Sequence, residues 1–273
     1  MVKLYAEPLN MYVDIPEKPE RIVSLAPAIT ETLFKLGLED RVVGVSIYCN
    51  KPLEAKNKPR VGSYWKIMYN KLEPLNPDLI LVTTGAQLVV LGELIERKYT
   101  VYPISLPVTL YGLLEYIIKI GVVVGEVKKA RDLVIELEEK IYRLKGSLRG
   151  LKVHIEIDLG GPTAPGAITY ITDTFNYLGA STTYDNVRDT WIINPETRTI
   201  IDYDPDIYIY ELPYGAPTRL EWVIERLEKR GLGNLRAIKE KRLIILEPDN
   251  LAHYGPSYFK TLEELVSMIK EIV

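Results

Sequence analysis

The stretch PERIVSLAPAITETLFKLG, residues 19–37, narrows what this chain can fold into more than any other. Ile22, Val23 and Leu25 form an apolar run long enough for one buried strand. Residues 24–28 make a turn punctuated by Pro27. Ile29, Leu33 and Leu36 then recur at helical spacing, and Gly37 stands where a helix stops. Strand, tight loop and helix in this order put the loop at the carboxyl end of a sheet, beside free helix N–H groups. Open α/β sheets place their ligands there. Such a loop makes a binding site only if the rest of the chain supplies a second wall.

The residues that follow repeat the alternation. An extended stretch precedes residue 17, and residues 12–15 within it suit a sheet edge. Residues 41–47 (RVVGVSI) form a second strand. A polar, proline-punctuated loop over 48–63 leads to Tyr64 and Trp65, and 70–75 suits a short helix. Asn76-Pro77-Asp78 breaks that helix, and the apolar LILV at 79–82 is a strand of the buried parallel kind. A helix over 85–97, with Leu88, Leu91 and Ile95 inward, and a strand over 101–104 complete a parallel sheet covered on both faces.

Residues 110–124 read as an unusually apolar, buried helix. Residues 126–145 are the longest helical pattern, with Val127, Ala130, Val134, Leu137, Ile141 and Leu144 on one stripe and charges opposite; Gly146 and Gly150 end it. The alternation restarts at Leu151. In residues 153–158, Val153, Ile155 and Ile157 share one face, while His154, Glu156 and Asp158 share the other, where His154 reads as structural. The loop 160–166 is rich in Gly and Pro but matches no phosphate-binding pattern, and reads as a proline-stiffened loop. A helix over 169–178 with Ile171, Phe175 and Leu178 inward, a strand over 207–210, an amphipathic helix over 219–229 with Trp222 in the core, and a strand over 242–246 follow. Thr261-Leu262-Glu263-Glu264 has capping-box spacing and is expected to open the last helix.

The two halves share a plan. Each has a helix closed by Leu-Gly (Leu36-Gly37, Leu178-Gly179) and later a Pro-Asp step into an apolar strand (Pro77-Asp78, Pro205-Asp206). The expected fold is α/β, with two lobes, each a central and mainly parallel sheet flanked by helices, joined by one long α-helix. Its divisions are 1–125, a linking helix over 126–146, and 147–273. The default ligand site of such a plan is the cleft between lobes.

Composition removes whole classes of function. The net charge of -3 speaks against a nucleic-acid binder. No apolar run approaches a membrane span, and no apolar leader follows Met1. The chain is therefore expected either outside the cytoplasm, associated with the membrane after loss of a signal, or in the cytoplasm. Cys49 is the only cysteine, which excludes an intrachain disulfide and reads as a small buried residue. His154 and His253 are the only histidines, which excludes a His-rich zinc site. Tyrosine, 19 residues against three Phe, offers flat apolar faces with polar tips.

These residues resemble the class III substrate-binding proteins of ABC transporters, which carry vitamin B12, iron-siderophores or haem on a fold of the helical-backbone metal receptor type. The resemblance runs from about residue 14 to 272. It is carried by PERIVSLAPAITETLFKLG, by LNPDLILV at 75–82, and by the series from Asn234-Leu235-Arg236-Ala237 through Arg242-Leu243-Ile244 to Gly255-Pro256. It implies limited lobe movement about the long helix. It also implies ligand-binding roles for Tyr48, Tyr64 and Trp65 in the first half and for Trp191 and Tyr254 in the second, where flat aromatic walls suit a rigid, mostly apolar macrocycle. Core packing is the competing reading for each of these aromatics. His253, in a loop beside Tyr254, is the candidate metal ligand for haem, against the plain reading of a partly exposed loop histidine. Arg188 and Arg219 are candidates for an anionic ferric chelate. Members of this class carry a Glu on each lobe, seven residues before the Pro-Asp step, that docks on a permease. This chain has Asn70 and Arg198 there, with Glu73 and Glu196 out of register.

The expected function is capture of a metal-containing macrocycle or chelate, foremost a corrinoid (vitamin B12), for ABC-type import. The protein would be a monomer that makes and breaks no bond and requires no cofactor, cobalamin, haem or ferric siderophore being its cargo. Haem or ferric-siderophore binding is the nearest alternative. A cytoplasmic enzyme or an adaptor on the same fold is the other, and no Walker A, Gly-x-Ser-x-Gly, metal-ligand cluster or Gly-x-Gly-x-x-Gly motif supports the enzyme.

Overall fold

In the computed structural model, which describes residues 1–85 and 87–273, the chain opens with β1 (Val2–Ala6) and β2 (Met11–Ile15). These pair antiparallel with each other, Val2 opposite Ile15 and Ala6 opposite Met11, as a separate two-stranded sheet. Residues 12–15 thus find their partner in the hairpin and not at the edge of the central sheet. β3 (Ile22–Ser24), α1 (Pro27–Lys35), β4 (Val42–Ser46), β5 (Arg60–Gly62), α2 (Tyr69–Leu72), β6 (Leu79–Thr83), α3 (Leu88–Glu96), β7 (Val101–Ile104) and α4 (Leu110–Val123) follow. Five of these strands form one parallel sheet in the order β5-β4-β3-β6-β7. Every residue of β3 and β6 is buried, as continuous apolar runs in a doubly covered sheet require.

Helix α3 turns a different face inward than its spacing predicts. Val90, Leu91 and Leu94 are buried against Ile80, Val82 and Val101, while Leu88 and Ile95 are exposed. The segment LVVLGELIE is apolar nearly all round, so periodicity alone does not choose a stripe. Gln87 does. Its buried amide accepts from the Thr83 backbone N–H at 2.9 Å and donates to the Leu25 carbonyl at 3.0 Å, which fixes the helix start on the sheet. Ala86, within the predicted helix, lies outside the described residues. Helix α4 is buried along Leu113, Tyr116, Ile117 and Ile120. In α5 (Val127–Leu144), Ala130, Leu137 and Ile141 are buried, the core of the predicted stripe. A Cβ on Gly121 would fall 2.3 Å from that of Ala130, so α4 and α5 approach closely only because residue 121 has no side chain.

β8 (Lys152–Asp158), β9 (Pro162–Pro165), α6 (Tyr170–Leu178), β10 (Ser181–Thr182), β11 (Ile192–Ile193), α7 (Thr197–Tyr203), β12 (Ile207–Glu211), α8 (Leu220–Lys229), α9 (Arg236–Lys239), β13 (Leu243–Leu246) and α10 (Ser257–Ile272) complete the chain. The second sheet runs β11-β9-β8-β12-β13, with β10 also on β8. β8, β12, β13 and β10 are parallel, whereas β9 is antiparallel to β8 and β11. The Gly/Pro loop thus contains a strand, made by a reversal at Gly160 and Gly161. The last helix begins four residues before its expected cap. Thr261 lies inside it, buried, and its hydroxyl bonds to the Asn250 side chain at 3.3 Å. Tyr258, Phe259, Leu262 and Leu265 keep one buried stripe going, so Gly255-Pro256 marks the true start.

The chain forms two compact units, Met1–Pro107 with Leu113–Glu138, and Val108–Gly112 with Glu139–Val273. Among the described residues no helix is long and apolar enough to cross a membrane.

The Pro-Asp steps do the same work in both units. The Asp78 carboxylate accepts from the Glu20 and Arg21 backbone N–H groups at 2.8 and 3.0 Å, and its own N–H donates to the Arg21 carbonyl. Asp206 accepts from the Lys152 N–H at 2.9 Å and donates its N–H to the Lys152 carbonyl. Asn76 and Asp204, two residues before each, both take left-handed φ, 40° and 45°. Burial would raise the Asp206 carboxyl, but the bonds from Lys152 and the Arg236 guanidinium outweigh it and hold the group below the usual carboxylate range.

A buried polar ladder runs along one face of β8 and β12. Tyr208 donates to Glu156 and Tyr210 to Asp158, each at 2.8 Å. Arg230, just past the end of α8, reaches Glu156 at 2.6 Å, and Arg226 reaches Asp158 at 3.3 Å. His154 contacts the Thr183 hydroxyl through Nδ1 at 2.9 Å and faces Glu156 through Nε2 at 3.6 Å. The fitting tautomer keeps the proton on Nε2, toward the carboxylate, with Nδ1 accepting from Thr183. Burial pushes His154 below the ordinary histidine value. Burial would lift Glu156, but His154 and Arg230 overcome it and hold the carboxyl low. An unfolded His154 takes up its proton as pH falls through about 6.5, and the folded one does not, so its contribution to stability is lost on acidification. Glu156 adds stability above its unfolded value of about 4.5, which is lost as pH falls further. A His154→Gln variant is therefore less stable than the parent at pH 7. Its deficit shrinks as pH falls below about 6.5, read from urea denaturation at each pH. A deficit that holds or grows on acidification contradicts this account.

Candidate functional site

In the first unit, aromatic side chains gather at the carboxyl ends of β4 and β5. Tyr48 and Tyr64 lie 4.4 Å apart by ring centroids, and Trp65 packs edge-on, 6.2 Å from Tyr48 and 5.8 Å from Tyr64. Trp65 is 59% exposed. Local chemistry builds this cluster. A Cβ on Gly62 would lie 2.5 Å from the Lys66 carbonyl oxygen, so the chain can fold back on itself only at a glycine. Ser63 donates its N–H to the Lys66 carbonyl at 2.8 Å, and its hydroxyl accepts from the N–H groups of Trp65 and Lys66 at 3.3 and 3.2 Å. This tight turn displays Tyr64 and Trp65 at its tip.

The turn that carries Tyr48 is held from beneath. The Arg60 guanidinium donates to the carbonyls of Ser46 and Cys49 at 2.7 and 2.8 Å. The buried Cys49 thiol lies 3.1 Å from the Thr30 hydroxyl and 3.2 Å from that of Ser46, and Ser24 bonds Thr30 at 2.8 Å. Burial pushes the Cys49 thiol up, against the pull of Ser46 and Thr30, so it stays protonated. Cys49 is thus a packed, hydrogen-bonded residue, as its isolation in the sequence implies.

In the second unit the aromatic candidates stand on two loops, Tyr254 after β13 and Trp191 at the amino end of β11. Trp191, 40% exposed, precedes β11. Its carbonyl accepts from the Gly166 N–H at 2.9 Å, and the Val187 carbonyl accepts from Ala167 at 2.9 Å. The hydroxyls of Thr169, the N-cap of α6, and of Thr172 bond the Gly166 carbonyl at 3.1 and 2.8 Å, tying this loop to the helix start. Tyr254 is half-buried in the loop after β13, its ring 6.1 Å from that of Tyr170. His253 beside it is buried, at 3% exposed. Trp222 is half-buried at the margin of the core formed by Tyr208, Val223 and Leu227, with the Arg226 guanidinium 4.4 Å above its ring. Arg188 and Arg219 are exposed, on the loop before β11 and at the N-cap of α8. Among the described residues no group of three or more His, Cys, Asp and Glu is placed to hold a metal ion.

The structure therefore brings Tyr48, Tyr64 and Trp65 together and puts Trp191 and Tyr254 on separate loops of the other unit. Sequence reading missed the apolar residues around them. Ile47 follows β4, Leu159 follows β8, and Tyr214 follows β12, each exposed. Their signal was partly available, since Ile47 ends a predicted strand and Leu159 directly follows one. It also missed Glu211, buried at the end of β12, whose carboxylate accepts from the Asp249, Leu251 and Ala252 N–H groups of the Tyr254 loop. A lone acid closing an apolar strand was its only mark. Arg60 gave none.

The sequence profile of the family described as periplasmic binding protein matches residues 22–250. An uncharacterised ABC transporter substrate-binding lipoprotein of Bacillus subtilis, YvrC, is 26% identical over 95% of this chain and 83% of its own. The vitamin B12-binding protein of Yersinia pestis is 41% identical over 66 residues, 24% of each chain. Among solved structures, the periplasmic haem-binding protein RhuT of Roseiflexus sp. RS-1 superposes with a TM-score of 0.78 at 22% identity, covering 93% of this chain and 98% of its own. At that identity the likeness speaks for the fold.

The Arg60 clamp has a measurable consequence. Cys49, the only thiol in the chain, is expected to resist an aromatic disulfide reagent under native conditions. Arg60→Ala removes two charge-assisted bonds from the turn over it, and labelling is expected to accelerate at least about ten-fold, an opening penalty lower by about 1.4 kcal/mol. Equal labelling rates would show that the turn is held by something else.

Proposed function

Because this chain belongs to the periplasmic binding protein family, we propose that it is a solute-binding protein that captures a metal-containing macrocycle, foremost a corrinoid, for ABC-type import. The observation that carries this reading is the gathering of aromatic rings at the carboxyl ends of β4 and β5, where Tyr48 and Tyr64 cluster with an exposed Trp65, together with Tyr254 after β13 and an exposed Trp191 before β11 in the other unit. A soluble surface does not ordinarily concentrate large flat rings at the sheet ends where α/β folds bind ligands. Such rings contribute area and stacking to a flat, rigid ligand without a covalent step. The protein is thus a carrier and not a catalyst.

A corrinoid is favoured over haem by what the rings offer. A cobalt corrinoid with both axial positions filled asks of a protein only contact and hydrogen bonds, whereas haem is held through an axial donor. His253, buried, lies outside this reading. The 66-residue match to a vitamin B12-binding protein supports the same choice. The exposed guanidinium groups of Arg188 and Arg219 suit an acidic periphery, a phosphate or a carboxylate, on such a ligand.

The partner implied by the family is an ABC permease, and the lipoprotein relative supports a place outside the cytoplasm, at the membrane. The positions expected to dock carry Asn70, exposed on α2, and Arg198, exposed on α7 and paired with Asp202 at 2.8 Å. A permease for this protein would meet a neutral and a cationic residue where two carboxylates are the rule.

Titration with cyanocobalamin, haemin and a ferric trihydroxamate, followed by tryptophan fluorescence, tests the reading. Cyanocobalamin is expected to quench saturably, and Trp65→Ala to weaken it by about ten-fold or more. Saturable binding of haemin or the ferric chelate alone moves the ligand class. Silence toward all three ends the proposal.

A further inference from the structure

We propose that Glu211 is a positioning residue for the ligand surface, and that its carboxylate holds the Tyr254 loop in its binding conformation only while it is ionised. This rests on the reading that Tyr254 meets the ligand. Glu211 closes β12 and is 1% exposed. Its oxygens accept from three donors of the loop after β13: the Asp249 N–H at 3.1 Å, the Leu251 N–H, and the Ala252 N–H at 3.3 Å. Residues 249–252 run directly into His253 and Tyr254, so this one carboxylate gathers three backbone donors at the base of that loop. Other ties to the loop come from neutral hydroxyls. Tyr170 donates to the Leu251 carbonyl at 2.7 Å, Thr218 to Glu247 at 2.6 Å, and Tyr214 to Asp249.

Three N–H donors converging on one group require an acceptor. An ionised carboxylate meets all of them with charge-assisted bonds. A protonated one turns an O–H into a ring of donors and loses the charge. Burial, with a smaller push from Asp249, lifts the Glu211 carboxyl to about 7, against the pull of the loop N–H groups. The change between the two forms thus falls near neutrality. The groups that face Glu211 do not share it. Tyr170 on α6 and Tyr258 on α10 are both pushed up by burial and stay protonated. Asp249 on the loop is engaged by Tyr214. His253 and Tyr254 follow the loop in sequence, and a variant at 211 separates any effect of theirs.

The stability consequence has the opposite sign. The folded chain binds the Glu211 proton more tightly than the unfolded one. Its contribution to stability is therefore full below about 4.5 and declines as pH rises toward 7. Keeping the loop ordered at neutral pH costs fold stability, the signature of a group retained for position and not for packing.

The test joins two measurements on the full chain at pH 6, 7 and 8. One is hydrogen–deuterium exchange of the peptide covering residues 249–254, corrected for the intrinsic rate. The other is cyanocobalamin affinity. With about a tenth of Glu211 ionised at pH 6 and about nine-tenths at pH 8, protection and affinity are each expected to fall about ten-fold from pH 8 to pH 6. Glu211→Gln is expected to show low, pH-independent values of both. Loop protection that does not change with pH in the parent overturns the proposal whether or not any ligand binds. PH-dependent protection with no cyanocobalamin binding upholds the latch and instead removes the corrinoid reading. PH-dependent protection with pH-independent affinity shows that the loop does not serve the site, and overturns the proposal. A pH dependence that persists in Glu211→Gln assigns the effect to His253 and overturns it as well.

Discussion

The carboxylates of Asp78 and Asp206 hold each unit at the point from which the rest is laid out. Each sits at the amino end of a buried central strand, β6 or β12, and grips the backbone of its neighbour, β3 or β8. Two parallel strands brought together by a long crossover have no hairpin to set their register. A two-point grip, one backbone bond each way and a carboxylate on the neighbouring N–H, fixes it at the first residue pair. From there a one-residue slip would turn every side chain of the strand to the opposite face of the sheet. The pro-aspartyl step achieves this with sterics as well: proline keeps the preceding residue out of the helix, Asn76 or Asp204 takes the left-handed turn, and the aspartate arrives at the sheet edge ready to accept. What then lies at the carboxyl ends, Tyr48 and Trp65 or Leu159 and Tyr214, follows from that starting register.

The second unit adds a further constraint across its layers. Glu156 and Asp158, two residues apart on β8, lie about 6.6 Å apart along the strand. Arg226 and Arg230, four residues apart, lie about 6 Å apart along a helical axis. The spacings match, so α8 can seat both guanidinium groups on both carboxylates in one register only. Pairs with a buried carboxylate, such as these, contribute little net stability over apolar contact, because desolvation of the carboxylate consumes much of the attraction, even though the Arg226 side chain is 45% exposed. Leaving one member unpaired costs far more, and this asymmetry makes the ladder a device for specifying register. It also decides what the start of α8 presents, since Arg219 and Leu220 are carried where the clamps put them.

The sequence was most legible where periodicity and backbone chemistry agreed. The first strand-loop-helix, the Pro-Asp steps and the stripe of α5 could be read because apolar spacing, proline and glycine all pointed to one outcome. Legibility failed where a segment satisfied more than one pattern. LVVLGELIE is apolar on every face, and only Gln87, by bonding back to Thr83 and Leu25, chose the buried one. Thr261 to Glu264 imitates a helix start inside a helix, because capping-box residues also suit a buried hydroxyl and an exposed acid. Prolines at 162 and 165 hid a strand, which survives because β9 lies toward the edge of its sheet. The aromatic candidates were visible as residue types at strand ends. What holds them, Arg60, Ser63 and Glu211, was not, since a supporting hydrogen bond leaves no pattern in one dimension.

The two aromatic surfaces are thus supported by different chemistry, and the difference matters for how each can respond to its surroundings. The Tyr48 turn hangs on a guanidinium, hydroxyls and a protonated thiol, none of which changes charge between pH 5 and 8. The Tyr64–Trp65 turn depends on a serine hydroxyl and a glycine, which are equally indifferent. The first unit therefore keeps its aromatic surface in constant shape. The Tyr254 loop rests on a buried carboxylate whose protonation lies at about 7. A Gln at position 211 would satisfy part of the loop without a charge, and its neutral form would spare the desolvation that Glu211 incurs. Retaining the acid makes sense only if a loop that can be released is useful where one that is permanently fastened is not. One aromatic surface held by groups that do not titrate, and one loop tied through a group that does, give the two units of a single chain different responses to pH.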